Sequence, residues 1–242
     1  MPSLTSRRVR RRTVSLVVYL VSAVAVVVGA GLALPELTSP DGPRYPVTTE
    51  ELATGRAALD SLEVKGRAPR TGYDRDLFGA AWADVDRNGC DTRNDVLARD
   101  LTGETFKPGT RDCVVLAGTL QDPYGGGVER FVRGPSTSAD VQIDHVVALS
   151  DAWQKGAQGW DDATRTAFAN DPLNLLAVDG PINQAKGASD AATWLPPHRP
   201  YRCRYVLRQA QVKATYRLWV TAAERDAMAR EMDRCEVTPP GP

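Results

Sequence analysis

The stretch Ile143-Asp144-His145-Val146-Val147-Ala148-Leu149-Ser150 opens a series that continues with Asn174-Leu175-Leu176 and then Asn183-Gln184-Ala185-Lys186-Gly187. Val141–Val147 is an apolar run of strand character, and Leu175–Val178 reads as a second, shorter strand. Pro181–Ala192 reads as a helix, opened by the residue whose missing N–H costs nothing at that position. Strand, strand and helix follow in that order, each with a polar residue of chemical use.

Those residue types suit hydrolysis of a phosphodiester. The reaction needs an activated water, a cation against the charge building on phosphate, and stabilisation of the departing oxygen. An imidazole with an ordinary pKa of about 6.5 accepts a proton from water at neutral pH, which makes His145 the candidate general base. Asp144, its neighbour on the strand, is expected on the other side of the backbone, where its carboxylate can hold a cation. Mg²⁺ takes hard oxygen ligands and keeps several waters, so Asp144 and the amide oxygen of Asn183 suffice as protein ligands.

Asp-His pairs also arise by chance, and a lone histidine on an apolar strand is usually a satisfied core residue. His145 is nevertheless one of only two histidines in the chain, and three separate elements fall in order. The pattern D-H-x-x-x-L-S, N-L-L, N-x-x-K-G resembles HNH (ββα-metal) endonucleases, including the HNH domains of CRISPR effector nucleases. In particular it resembles the HNH-like domain of GmrSD-type restriction enzymes and the exported actinobacterial proteins that share it. The likeness is strongest over residues 141–195 and extends from about 75 to 235. It implies His145 as base, Asp144 and Asn183 as metal ligands, Asn174 as the residue that fixes the His145 loop or ring, and Lys186 near the phosphate. The last position of the three-letter name is Asn183 rather than histidine, which suits Mg²⁺ or Mn²⁺ better than Zn²⁺. Ala148 stands where the family often has proline.

Further out, Val114–Leu120 and Val128–Val132 flank a turn of Asp122, Pro123, Tyr124 and three glycines, which predicts a β-hairpin. Helices are expected near Thr48–Leu62, around Asp95–Leu101, over most of Asp151–Ala169, over Tyr201–Tyr216, and over Thr221–Met232 with Thr221 and Glu224 in capping-box spacing. The expected fold class is α+β: a ββα core at about 141–192, an additional hairpin and flanking helices. Arg93, next to Cys90, is a candidate phosphate ligand, although a solvated surface arginine fits as well. Trp153, Trp160 and Trp194 offer stacking surfaces, but aromatics at helical spacing are more often core. Asp84, Asp86 and Asn88, with Asp95 at the twelfth place, imitate a Ca²⁺ loop of EF-hand type. A turn of self-satisfied Asx side chains is the plainer reading.

The first 34 residues differ from the rest. Five arginines between Arg7 and Arg12 precede an uncharged apolar run from Thr13 to Leu34, a signal peptide or a membrane anchor. Either outcome places the remainder outside the cytoplasm by the positive-inside rule. Residues 35–47 read as a linker, 48–236 as one nuclease domain and 237–242 as a tail. The four cysteines, Cys90, Cys113, Cys203 and Cys235, include no C-x-x-C pair and so suggest two disulfides. Of three possible connectivities, Cys90–Cys113 with Cys203–Cys235 is expected, because each then closes a loop within one region.

Removing the leader takes five arginines and no acids from the 30 basic and 30 acidic residues, leaving 25 against 30. A protein that coats nucleic acid by charge alone should be basic, so a passive coating role is disfavoured; an enzyme with a local basic groove is not. The expected partner is a nucleic acid, DNA before RNA, with membrane contact only through the N-terminal segment. Two other readings stand beside the nuclease. One is a non-catalytic envelope protein on the same fold. The other is a wall glycosidase using two of Asp140, Asp144, Asp151, Asp161 and Asp162, which would need its carboxyls about 5–9.5 Å apart.

Overall fold

The computed structural model describes residues 44–238. The expected leader at 1–34, most of the linker and the end of the tail lie outside them. The fold begins earlier than the expected boundary at 48: Val47 is buried and bridges Val237, with the Val47 N–H donating to the Glu236 carbonyl (2.9 Å) and Thr238 N–H to that of Val47 (2.9 Å). The two ends of the described chain therefore close on each other.

Helix α1 (Thr49–Ser61) is capped by Thr48 in a reciprocal box with Glu51. It packs on α6 (Arg202–Thr215) and on α7 (Ala222–Met232), whose expected Thr221–Glu224 box is present. Helix α2 (Thr92–Asp100) starts at the Asp91 cap and runs straight into β1 (Leu101–Phe106). The predicted hairpin forms as β2 (Val115–Gln121) and β3 (Val128–Val132), and β1 adds a third antiparallel strand beside β2. Only Leu101 of β1 is fully buried, and its register slips twice, so the strand has no alternation to betray it.

A separate two-stranded ladder joins β4 (Val141–His145) to β5 (Leu175–Asp179), and the chain passes directly from β5 into α5 (Gly180–Lys186). Val96 and Leu97 of α2 fill the space between the sheets, against Val115, Phe131, Ile143 and Leu175. Two expected helices are shorter than predicted. The segment between β4 and β5 breaks at Gly156 (φ 130°) into α3 (Leu149–Trp153), a 3₁₀ turn and α4 (Asp162–Ala169). Helix α5 stops at Gly187, where φ is 53°. Both disulfides, Cys90–Cys113 and Cys203–Cys235, are formed.

Behind α3 lies a buried ionic cluster. Lys155 contacts Asp151 (2.7 Å), Asp190 (2.8 Å) and Glu224 (2.7 Å), and Lys213 contacts Asp151 (3.1 Å) and Glu224 (2.9 Å). Arg67 closes it from the half-buried side, on Asp151 and Asp190. Burial alone would push the Lys213 ammonium down, but Asp151 and Glu224 outweigh it and hold it above its ordinary value. The cluster joins α3, α6, α7 and the chain after α5. Breaking such a set by removing one partner strands opposite charge in a dry interior, at a cost of about 3–5 kcal/mol. Lys155→Met should lower unfolding free energy in urea by that order, and a loss of less than about 1 kcal/mol would contradict this account of the cluster.

Candidate active site

His145 is the last residue of β4, paired with Leu175, and the chain bends away at Val146 and Val147. Strand alternation predicts opposite directions for Asp144 and His145. At the end of the ladder, however, both border one cleft of about 290 Å³, together with Asn183, Arg70, Tyr73 and Arg75. His145 also borders a smaller recess with Trp82, Phe78 and Ala169.

The imidazole is held by one clear contact, Nε2 to the carbonyl of Ala169 at 2.8 Å. A carbonyl only accepts, so Nε2 must carry the hydrogen, and in the neutral ring Nδ1 is left as the proton acceptor. Burial pushes the ring pKa down to about 4, against the upward pull of the Ala169 carbonyl and with help from Arg75 and Lys186. The base form therefore prevails at neutral pH. Trp82 lies nearly parallel to the ring, 13° between planes and 6.3 Å between centroids, on a residue held at φ 63°.

Asn174 acts on the loop and not on the ring. Its Oδ1 accepts from the Val147 N–H (2.8 Å), its carbonyl accepts from the Val146 N–H (2.8 Å), and Nδ2 donates to the carbonyls of Val147 (3.3 Å) and Phe168 (3.4 Å). Gln209 fixes the same loop by donating to the Val146 carbonyl at 2.8 Å. Arg99 and Arg208 secure the turn before β5 by donating to the carbonyls of Pro172 and Leu175. Ala148 is the N-cap of α3 at φ −59°, a backbone that proline adopts without strain.

Asp144 is buried, and both carboxylate oxygens are held. Lys186 Nζ donates to Oδ1 at 2.8 Å and to the His145 carbonyl at 2.8 Å, while the Tyr124 hydroxyl donates to Oδ2 at 2.6 Å. Burial raises the Asp144 pKa, and Lys186 and Tyr124 oppose that rise. Lys186, expected near the phosphate, is thus corrected: its ammonium is fully buried at the back of Asp144 and does not border the cleft. Tyr124 had no motif to mark it; it arrives from the β2–β3 turn. Asn183 borders the cleft with its amide nitrogen donating to Gln142 Oε1 at 3.0 Å, and Gln142 is itself oriented by donating from Nε2 to the Ala139 carbonyl at 3.2 Å.

The remaining candidates lie elsewhere. Arg93 does not border the cleft; its guanidinium donates to the carbonyls of Ser138 (3.2 Å) and Val141 (3.4 Å) and lies over Trp82. Asp84, Asp86 and Asn88 form the plainer turn: Asp84 and Asp86 accept from the backbone of Asn88 and Gly89, and the Asn88 amide bonds Asp86 and Asp95. Among the described residues no cluster of three or more His, Cys, Asp or Glu forms a metal site. Trp153, Trp160 and Trp194 pack against core aromatics. Of the carboxyls weighed for a glycosidase, Asp144 is held by Lys186 and Tyr124, Asp151 lies in the ionic cluster, Asp161 caps α4 and Asp162 pairs with Arg165.

Two consequences are measurable. Without Asn174 Oδ1 the buried Val147 N–H loses its acceptor, so Asn174→Ala should cost roughly 1–3 kcal/mol in urea unfolding; an unchanged midpoint would show the loop is held by other means. For His145, the unfolded ring takes a proton at pH values where the folded ring does not. In EDTA, stability should therefore fall as pH drops from about 6.5 to about 4, by up to about 3 kcal/mol. His145→Ala should flatten that slope, and an equal slope in both proteins would refute the low ring pKa.

Comparison with known proteins identifies the family. A model of the family described as "GmrSD restriction endonucleases, C-terminal domain" matches residues 91–231. A protein of Arthroderma benhamiae described as an "Uncharacterized secreted protein" is 35% identical over 205 residues, which is 84% of this chain and 95% of that one. No solved structure gives a significant match. The matched region spans β4, β5 and α5 together with Tyr124, Ala169, Asn174 and Lys186, and the chain belongs to the family of GmrSD restriction endonuclease C-terminal domains.

Proposed function

We propose that this protein is an exported nuclease that hydrolyses phosphodiester bonds of nucleic acid, with His145 as general base on the ββα-metal plan. The observation that carries the reading is the meeting, in one cleft, of a neutral imidazole with Nδ1 available and the two oxygen-bearing side chains Asp144 and Asn183. Family membership supports it, because the family takes its description from restriction endonucleases.

In the proposed reaction, Nδ1 takes a proton from water as the water oxygen attacks phosphorus, while the Ala169 carbonyl holds the opposite edge of the ring and stabilises the imidazolium that forms. The phosphate's negative charge raises the proton affinity of the ring as it approaches. Asn174 keeps the 146–147 loop, and with it the ring, in place. The donor set fits a hard divalent cation that keeps most of its water: one carboxylate whose oxygens retain lone pairs beyond the bonds from Lys186 and Tyr124, and one amide. Asp144 and Asn183 are the residues that would hold Mg²⁺ or Mn²⁺, which when bound stabilises charge on the departing oxygen.

Export rests on the arginine-led apolar leader, on the two disulfides, which persist in oxidising compartments, and on the secreted relative. Among the described residues no helix is long and apolar enough to cross a membrane.

Full-length protein should nick or linearise plasmid DNA in Mg²⁺ or Mn²⁺. Cleavage should stop in EDTA and slow by about 10²–10⁴-fold in His145→Ala. Plasmid left intact under every divalent cation, or His145→Ala cleaving as fast as the parent, would overturn the assignment.

A further inference from the structure

Two guanidinium groups border the cleft beside the groups that carry the chemistry, and Arg75 also helps keep the His145 ring neutral. Arg70 and Arg75 both border it, with Tyr73 between them and Asp144, His145 and Asn183 at its floor. They belong to a segment that precedes the region matched by the family model, which begins at residue 91.

That segment is pinned. The Ala68 N–H donates to the Gln154 carbonyl (2.9 Å), the Gln158 amide to the Pro69 carbonyl (2.9 Å) and the Trp153 indole to the Thr71 carbonyl (3.3 Å). Phe78 is buried in the core at its far end. The arginines are therefore presented by a backbone fastened over α3.

Neighbouring arginines are committed to protein partners: Arg67 to Asp151 and Asp190, Arg93 to two carbonyls, Arg99 and Arg208 to the turn before β5. Arg70 and Arg75 differ. Among the described residues neither has a carboxylate partner, and Arg70 is placed only over the Tyr73 ring, 4.9 Å from its centroid. Asp74, between them in sequence, caps the following turn through the Asp76 N–H. With Lys186 offsetting Asp144 at the floor, the cleft is locally cationic although the exported part of the chain carries more acids than bases. A local groove of this kind is what a net-acidic nuclease requires.

We infer that Arg70 and Arg75 bind the phosphates that flank the scissile one, with Tyr73 as the adjoining aromatic face, so that the segment ahead of the family core supplies the substrate-binding strip. The inference rests on the nuclease reading for the identity of the scissile bond. A forked guanidinium matches two phosphate oxygens at once, and backbone contacts of this sort position a strand without reading its bases.

The test uses full-length Arg70→Gln/Arg75→Gln beside the parent and beside a control, Arg217→Gln/Arg230→Gln, which removes two exposed arginines outside the cleft. Binding of a fluorescent DNA duplex is followed by anisotropy in EDTA across a salt series, and cleavage is followed in Mn²⁺. Loss of two phosphate contacts should reduce the slope of log K against log salt by about 1.8. It should also raise KM by about 10-fold or more while kcat changes by less than about 3-fold, with the control unchanged. Because the binding arm needs no turnover, a parent that binds but does not cleave would sink the nuclease reading alone and leave the strip to be judged by the salt slope. Unchanged affinity and slope in the double variant, an equal effect in the control, or a parent that does not bind the duplex at low salt would each overturn the proposed strip.

Discussion

A carboxylate held 2.8 Å from a buried ammonium and 2.6 Å from a buried phenol is the contact on which the rest of the site depends. Asp144 must sit at the end of β4 to face the cleft, yet that position is dry, and an uncompensated carboxylate there would take up a proton. Lys186 and Tyr124 counter that tendency from different parts of the chain. Lys186 comes from the last turn of α5 and also holds the His145 carbonyl, so one ammonium sets the spacing between helix and strand. Tyr124 comes from the β2–β3 turn, which Asp122 ties to the end of β5 through the Asp179 N–H at 3.1 Å. Three elements distant in sequence meet because one anion needs them.

The same logic extends outward. His145 is neutral because it is buried, and it is oriented because the end of α4 offers the Ala169 carbonyl. That end is in turn joined to the loop after β4 by Asn174. Behind α3, the ionic cluster of Lys155, Lys213, Arg67 and three carboxylates holds together the elements that support the cleft wall. Its charges are balanced within reach of one another, which is the condition for keeping them out of water.

Much of this is legible in the residues themselves. The β4–β5–α5 order follows from the apolar runs around Asp144 and Asn174 and the proline at the start of the helix, and the disulfide pairing follows from loop economy. The capping box at Thr221 needed only its spacing. What escaped has physical causes. Strand β1 is an irregular edge with one fully buried residue, so it carries no period. Gly156 breaks an otherwise helical stretch through a backbone angle that composition does not announce. A lysine three residues after Asn183 has the look of a phosphate ligand, and only the fold shows that it turns inward to Asp144. Tyr124, Arg70 and Arg75 reach the site across long sequence distances and carry no local signature.

The central claim is that Asp144, kept in place by Lys186 and Tyr124, and Asn183 together form a site for one hard divalent cation beside His145. Titration of Mn²⁺ into the full-length protein, followed by the electron paramagnetic resonance of the free ion, tests it without reference to turnover. Saturable binding at a single site, lost in Asp144→Asn and weakened in Asn183→Ala while His145→Ala still binds, is the predicted result. No saturable binding by the parent, or equal binding by Asp144→Asn, would contradict the account.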